Sequence, residues 1–180
     1  DSQPPIHHLN RIEQYSKSIS QSTPRMKQTS RTALLVIDMQ NALVNGAFLE
    51  NETVSNINLA INKARDADVP IIFIQHNHAS FAPMMQSNTG WELHPDLARV
   101  TDDLVIEKQA SDAFYRTDLE PRLRELESDL LVLCGMQTEY CVDATCRSAL
   151  SKDFDVVLIA DGHTTGGGHL SAENIIAHHN

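Results

Sequence analysis

Three side chains capable of covalent chemistry follow short apolar runs in this chain of 180 residues. Asp38 directly follows Ala33 to Ile37, Lys108 follows Leu104 to Ile106 by two positions, and Cys141 comes shortly after Gly135, which closes the run Leu130 to Cys134. Taken singly, each has a plainer use. A strand-end Asp is commonly a turn or cap residue, a loop Lys is usually solvated, and a lone Cys is usually a small buried hydrophobe. Their shared placement, just past the ends of apolar runs, is what sets them apart.

A carboxylate, an ammonium and a thiol in one place can carry out nucleophilic catalysis. A thiol attacks as thiolate, and a helix N-terminus with a nearby cation favours that ion. Lys108 is the candidate cation, so the expectation is a Cys141 pKa below the ordinary value and alkylation of Cys141 ahead of the other cysteines at mildly acidic pH. Asp38 is placed to accept the thiol proton, hand it to a departing amine, and later activate the water that cleaves a thioester. Cys134 belongs inside an apolar strand, and Cys146 lies about 140° further around the same helix, so neither is the expected nucleophile.

These residues need a scaffold that brings distant segments to one edge. With Ile71 to Ile74 and Val156 to Ala160, the apolar runs number five, and runs this short and apolar on both faces read as buried parallel strands. Between them lie helical patterns. Val54, Ile57, Ala60, Ile61 and Ala64 share one face; Leu119, Leu123 and Leu126 share another, with Thr117 and Glu120 spaced as a capping box. A third helix is expected from about Glu139 to Leu150, and a fourth from a Ser171 cap through Ile175 and Ile176. The alternation predicts a three-layer, doubly wound α/β sheet, mainly parallel, of five or six strands. Ligands of such sheets sit beyond the carboxyl ends of the strands, near the switch in strand order.

Composition bounds the partners. With 14 Lys+Arg against 24 Asp+Glu the net charge is −10, which disfavours both nucleic acid and an anionic membrane surface. No apolar stretch approaches the roughly 18 residues of a membrane span. Three cysteines are too few for a disulfide scaffold and fit a reducing, cytoplasmic setting. Residues 1–30 are rich in Ser, Gln and His and read as an N-terminal extension; residues 31–180 read as one catalytic domain.

Three segments resemble the isochorismatase-like cysteine hydrolases, the superfamily of nicotinamidase, N-carbamoylsarcosine amidase and streptothricin hydrolase. They are A-L-L-V-I-D-M-Q-N at Ala33 to Asn41, E-K-Q-A-S-D-A-F at Glu107 to Phe114, and G-M-Q-T-E-Y-C-V-D-A-T-C-R-S-A at Gly135 to Ala149, in family order. The resemblance implies an Asp38, Lys108, Cys141 triad, a cis peptide between Met136 and Gln137, and an oxyanion hole from the backbone amides of Gln137 and Cys141. It also implies the family's α/β fold and a homo-oligomer, dimer or tetramer. The expected substrate is a small carboxamide, ureido or cyclic amide compound. A vinyl-ether hydrolase needing an acid but no thiol, and a non-catalytic ligand-binding module, are the alternatives.

Departures narrow this expectation. Ala42 and Leu43 stand where the family often has Asp-Phe, altering one wall of the pocket. Nicotinamidases carry a metal site resembling Asp-x-His followed later by another His, whereas here the second strand leads into Gln75, His76, Asn77 and His78 with no matching Asp. No metal and no cofactor are expected, and His76 and His78 are assigned to loop hydrogen bonding. Gln40, Trp91, Phe114 and Tyr140 are the candidate substrate contacts. Gly166 to Gly168 lacks the lysine of a phosphate-binding loop and reads as a connection. The family's sheet gains a final strand after the last helix; here that strand is expected either to be missing or to lie outside residues 1–180.

Overall fold

The five apolar runs all become strands: β1 (Thr32–Ile37), β2 (Ile71–His76), β3 (Leu104–Lys108), β4 (Leu130–Met136) and β5 (Asp155–Thr164). The computed structural model describes residues 31–78 and 80–180; the expected extension over 1–30 lies outside the described residues. Every pairing is parallel and the order is β3-β2-β1-β4-β5, so the expected five or six strands resolve to five among the described residues. None of the described helices is long and apolar enough to cross a membrane.

Period-two alternation assigns the two faces of β1. Leu34 and Val36 pack with Val54, Ile57 and Ile61 of α2 (Glu50–Asp66), after the short α1 (Asn41–Val44). Ala33, Leu35 and Ile37 point the other way, into a second core with Leu119 and Leu123 of α3 (Leu119–Glu125) and Ala149 of α4 (Asp143–Ser151). Both faces are therefore buried, which is why the strand carries no polar alternation. Each fully buried Leu or Ile contributes about 1.5–3 kcal/mol over leaving it in water.

Two helix starts differ in form from the sequence pattern. The capping box does not form at α3: the helix begins at Leu119 with Asp118 as its flanking residue, so Thr117 lies one residue too early to serve as the cap. Thr117 Oγ1 donates to Ala113 O and accepts from Leu119 N, while Glu120 pairs with Lys152 at 2.7 Å. The helix expected from Glu139 opens one residue earlier as a π-helical turn, Thr138–Val142, in which Val142 N bonds to Gln137 O at 3.2 Å, before α4 continues. At α5 (Ala172–His179), Ser171 caps as expected, accepting from Asn174 N.

Strand order reverses at β1. The chain runs outward through β2 and β3 on one side and through β4 and β5 on the other, so the carboxyl ends of β1 and β4 flank the switch point. Here β4 comes unusually close to β1. Gly135, paired with Ile37, has φ +119°, and a Cβ on it would lie 2.0 Å from Ile37 O. On the outer side, β5 leaves register: Leu133 pairs with Leu158 but Gly135 with His163, so Ile159 to Gly162 stand opposite Cys134 alone. That bulge re-aims the end of β5 toward the turn that follows β4.

Candidate active site

Asp38 directly follows β1 in the left-handed region, φ +49°, a conformation Asp tolerates better than most residues. Its side chain is fully buried. Lys108 is the last residue of β3 and only 2% exposed, so the solvated-lysine reading is overturned. Although β2 lies between β1 and β3, the lysine stem reaches under its end, placing Nζ 2.6 Å from Asp38 Oδ2 and 3.3 Å from Cys141 Sγ. Nζ also lies 2.9 Å from Ala110 O and 2.9 Å from His76 Nδ1. An ammonium can only donate, so Nδ1 of His76 is an acceptor and its ring proton sits on Nε2. Three strands and the turn after a fourth thus converge on one buried nitrogen.

Charge in this cluster runs against one expectation. The Cys141 thiol is pushed up to about 12, by burial and by the Asp38 carboxylate, and Lys108 offsets these only in part. The thiol is therefore protonated at rest, which corrects the expected thiolate: a buried carboxylate beside it cancels much of the lysine's pull. Burial pushes Cys134 up to about 12 and Cys146 to about 11, so thiolate fraction does not favour Cys141, which corrects the expected early alkylation at mildly acidic pH. Burial also raises Asp38 above its ordinary range despite Lys108.

His76 moves the other way. Burial, with Lys108 and His78 nearby, lowers it from 6.5 to about 4. The folded state therefore holds fewer protons than the unfolded chain between these values, so its contribution to stability is complete above about pH 6.5 and is lost as pH falls toward 4. His163, lowered by burial, adds in the same direction. A loss of up to about 3 kcal/mol is expected across that window, read as a falling melting temperature in a pH series; His76→Asn should flatten the slope.

Residues outside the cluster hold it in place. Asp112 accepts from Phe114 N and from Ser148 Oγ, and Ala113 N donates to Thr145 Oγ1, so the segment carrying Ala110 is stitched to α4. On the other side, Asn180 Nδ2 donates to Ala160 O, which leaves its Oδ1 to accept from His163 Nε2 at 3.0 Å. His163 Nδ1 is then the acceptor for the Thr138 hydroxyl at 2.9 Å. This relay pins the turn leading to Cys141, next to the Met136–Gln137 cis peptide, which is present. His163 carried no sequence signal, because its contact with Thr138 depends on the bulge in β5.

The candidate substrate contacts separate. Gln40 is fully buried and spent on backbone: Nε2 donates to His76 O and Trp91 O, and Oε1 accepts from His76 N. It is a loop clamp, which corrects its assignment as a substrate contact. Phe114 is 7% exposed and stacks on Phe154 at 5.8 Å; it is a core residue, for the same reason that Leu119 and Leu123 beside it are. Trp91 lines a cleft of about 600 Å³ with Gln75, Leu97 and Val105. Those neighbours project from the α2 side of the sheet, opposite Lys108, so Trp91 is not among the groups gathered at Nζ. Tyr140 is 57% exposed beside Cys141 and keeps its candidacy. His78 Nδ1 accepts from the amides of Ser80 and Phe81, the loop role expected of it, whereas His76, assigned the same role, is corrected: it ends β2 with its ring facing Lys108.

Residues 32–175 match the family model described as the isochorismatase domain. The chain belongs to the isochorismatase family. An isochorismatase family protein of Bacillus subtilis, YddQ, is 32% identical over 154 residues, covering 82% of this chain and 86% of that one. A streptothricin hydrolase of Streptomyces noursei is 34% identical over 136 residues, 74% of this chain; the chain spans 49% of that relative's length. Among solved structures, an isochorismatase family protein superposes with a TM-score of 0.75 at 31% identity, covering 83% of this chain and 90% of the other. The N-carbamoylsarcosine amidase of Thermoplasma acidophilum gives 0.69 at 27% identity over 75% of this chain and 84% of its own. The five-stranded parallel sheet with its flanking helices matches the fold of these structural neighbours.

Proposed function

We propose that this isochorismatase-family protein is a cysteine hydrolase of a small carboxamide, ureido or cyclic amide compound, working through a thioester on Cys141. The observation that carries this reading is Lys108 Nζ, buried and within reach of both Asp38 Oδ2 and Cys141 Sγ. Relatives named streptothricin hydrolase, nicotinamidase and ureidoacrylate amidohydrolase support the reaction class.

In this mechanism the Cys141 proton passes to Asp38 as sulfur attacks the carbonyl carbon, so the thiolate never accumulates at rest. A pKa near 12 suits that order of events, because attack and proton transfer occur together. The tetrahedral oxyanion is received by the backbone amides of Gln137 and Cys141. Asp38 returns the proton to the nitrogen as the C–N bond breaks, releasing amine or ammonia. It then deprotonates the water that attacks the thioester, and the proton finally goes back to sulfur. Lys108 keeps its charge throughout and stabilises each anion that forms beside it.

A panel of small amides with ammonia detection tests the reading; no turnover of any member counts against it, and turnover that persists without Cys141 favours the acid-only vinyl-ether reaction. Because Asp38 must be ionised to begin, and is raised, the acid limb of kcat/KM is expected above the ordinary carboxylate value of 3.8. A profile flat down to that value would exclude Asp38 as the base. Exhaustive chelation is expected to leave turnover unchanged. We further propose the homo-oligomer that the family resemblance implies, testable by light scattering across micromolar concentrations.

A further inference from the structure

Lys108 Nζ is held as a metal ion would be. Around it stand one carboxylate oxygen, one imidazole nitrogen and one sulfur, from Asp38 at 2.6 Å, His76 at 2.9 Å and Cys141 at 3.3 Å, with Ala110 O at 2.9 Å completing the shell. The donor atoms of Asp38, His76 and Cys141 lie within 4.8 Å of one another. Zinc takes these same three atom types, at about 2.0–2.3 Å, so closing on a zinc ion asks each donor to move inward by roughly 0.6–1.0 Å. His76 already directs the lone pair of Nδ1 to this point, since it accepts from the ammonium. All three side chains come from different segments, and each is within 3.3 Å of the lysine nitrogen.

We propose that Asp38, His76 and Cys141 form a cation site whose resident occupant is the Lys108 ammonium, and that zinc competes for it. On binding, the Cys141 S–H bond breaks, its proton leaves to solvent and a zinc–sulfur bond forms; Nδ1 and a carboxylate oxygen supply two further bonds, and water takes the fourth position. A divalent ion and an ammonium cannot share one shell, so Lys108 must withdraw or give up its proton. The lysine is tethered and always at hand, which holds zinc affinity low in the native protein and protects the thiol from adventitious metal. Zinc that does enter silences Cys141, because the sulfur is then a ligand. These residues are not the Asp-x-His arrangement of the nicotinamidases, and the inference rests on donor positions, so it stands or falls independently of amide hydrolysis.

The test uses the full chain and zinc alone. Zinc affinity is measured by competition with a chromophoric chelator, and occupancy at Cys141 by its protection from iodoacetamide in peptide maps at alkaline pH. Lys108→Ala, with its fold verified by circular dichroism, should bind one zinc at least tenfold more tightly than the native protein, with Cys141 protected. Adding His76→Ala to that variant should weaken binding at least tenfold. If Lys108→Ala binds no more tightly, or if the His76 change leaves affinity and protection as they were, the proposal is wrong and zinc is held by the thiol alone or by other histidines. Should Lys108→Ala fail to fold, the native protein decides: zinc protection of Cys141 must be lost in His76→Ala, and its retention overturns the site.

Discussion

Turnover of any amide the protein hydrolyses is expected to fall at least about a thousandfold in Cys141→Ala, with little change in melting temperature. The route loses the only atom able to form the thioester, and no neighbour can replace it: Lys108 is fixed by four partners, and Asp38 is held in an ion pair with it. Stability should change by less than about 1 kcal/mol, since a half-buried sulfur is lost at a helical position where Ala is well suited. Cys141→Ser should be nearly as inactive, because a hydroxyl is far harder to deprotonate than a thiol. Ammonia release and calorimetry on the same samples separate loss of chemistry from loss of fold.

The second large effect concerns a residue with no side chain. Gly135→Ala is expected to cost roughly 3 kcal/mol or more, summing a disfavoured positive φ and an overpacked contact. The added methyl would meet Ile37 O at 2.0 Å, and the nearest atoms around it are backbone atoms of Ile37 that cannot rotate away. Relief requires β4 to back off from β1, which separates Asp38 from the turn carrying Cys141. Denaturant unfolding should therefore report a lower midpoint, and whatever folded protein remains should turn over poorly. A substitution tolerated within about 0.5 kcal/mol would mean that β4 and β1 can part without penalty.

The sheet was legible because each strand carries an apolar run, a pattern that few other elements share. Ala33 to Ile37 is buried throughout, whereas the edge strands fall short of the expected burial, with Leu104 of β3 and Val157 of β5 exposed because no further strand or helix covers them fully. Helix faces followed from spacing alone, as Ile57 and Ile61 illustrate. Asp38, Lys108 and Cys141 could be gathered in advance because parallel strands share one chemical edge. The electrical state of the thiol could not, since it turns on how deeply Asp38 is buried beside it, and depth is a property of packing. Gln40 misled for a related reason: it stands in a motif beside Asp38, yet its carboxamide faces the backbone of His76 and Trp91. Phe114 likewise lies in a motif because it fills the core under Lys152 and beside Phe154.

Gln40 also bears on how such a protein can diversify. Its amide touches only main-chain atoms, the N–H and C=O of His76 and the C=O of Trp91, and Gln75 Nε2 adds a second bond to that same Trp91 oxygen. The long connection between β2 and β3 is thereby fastened at its start and midway along, by contacts indifferent to which side chains it carries. Such a connection can be exchanged wholesale, in composition and in the pocket wall it presents, provided both glutamines and the spacing between the two fastening points travel unchanged. Under the mechanism proposed above, ligand preference then changes with the connection while Asp38 and Lys108 stay in place.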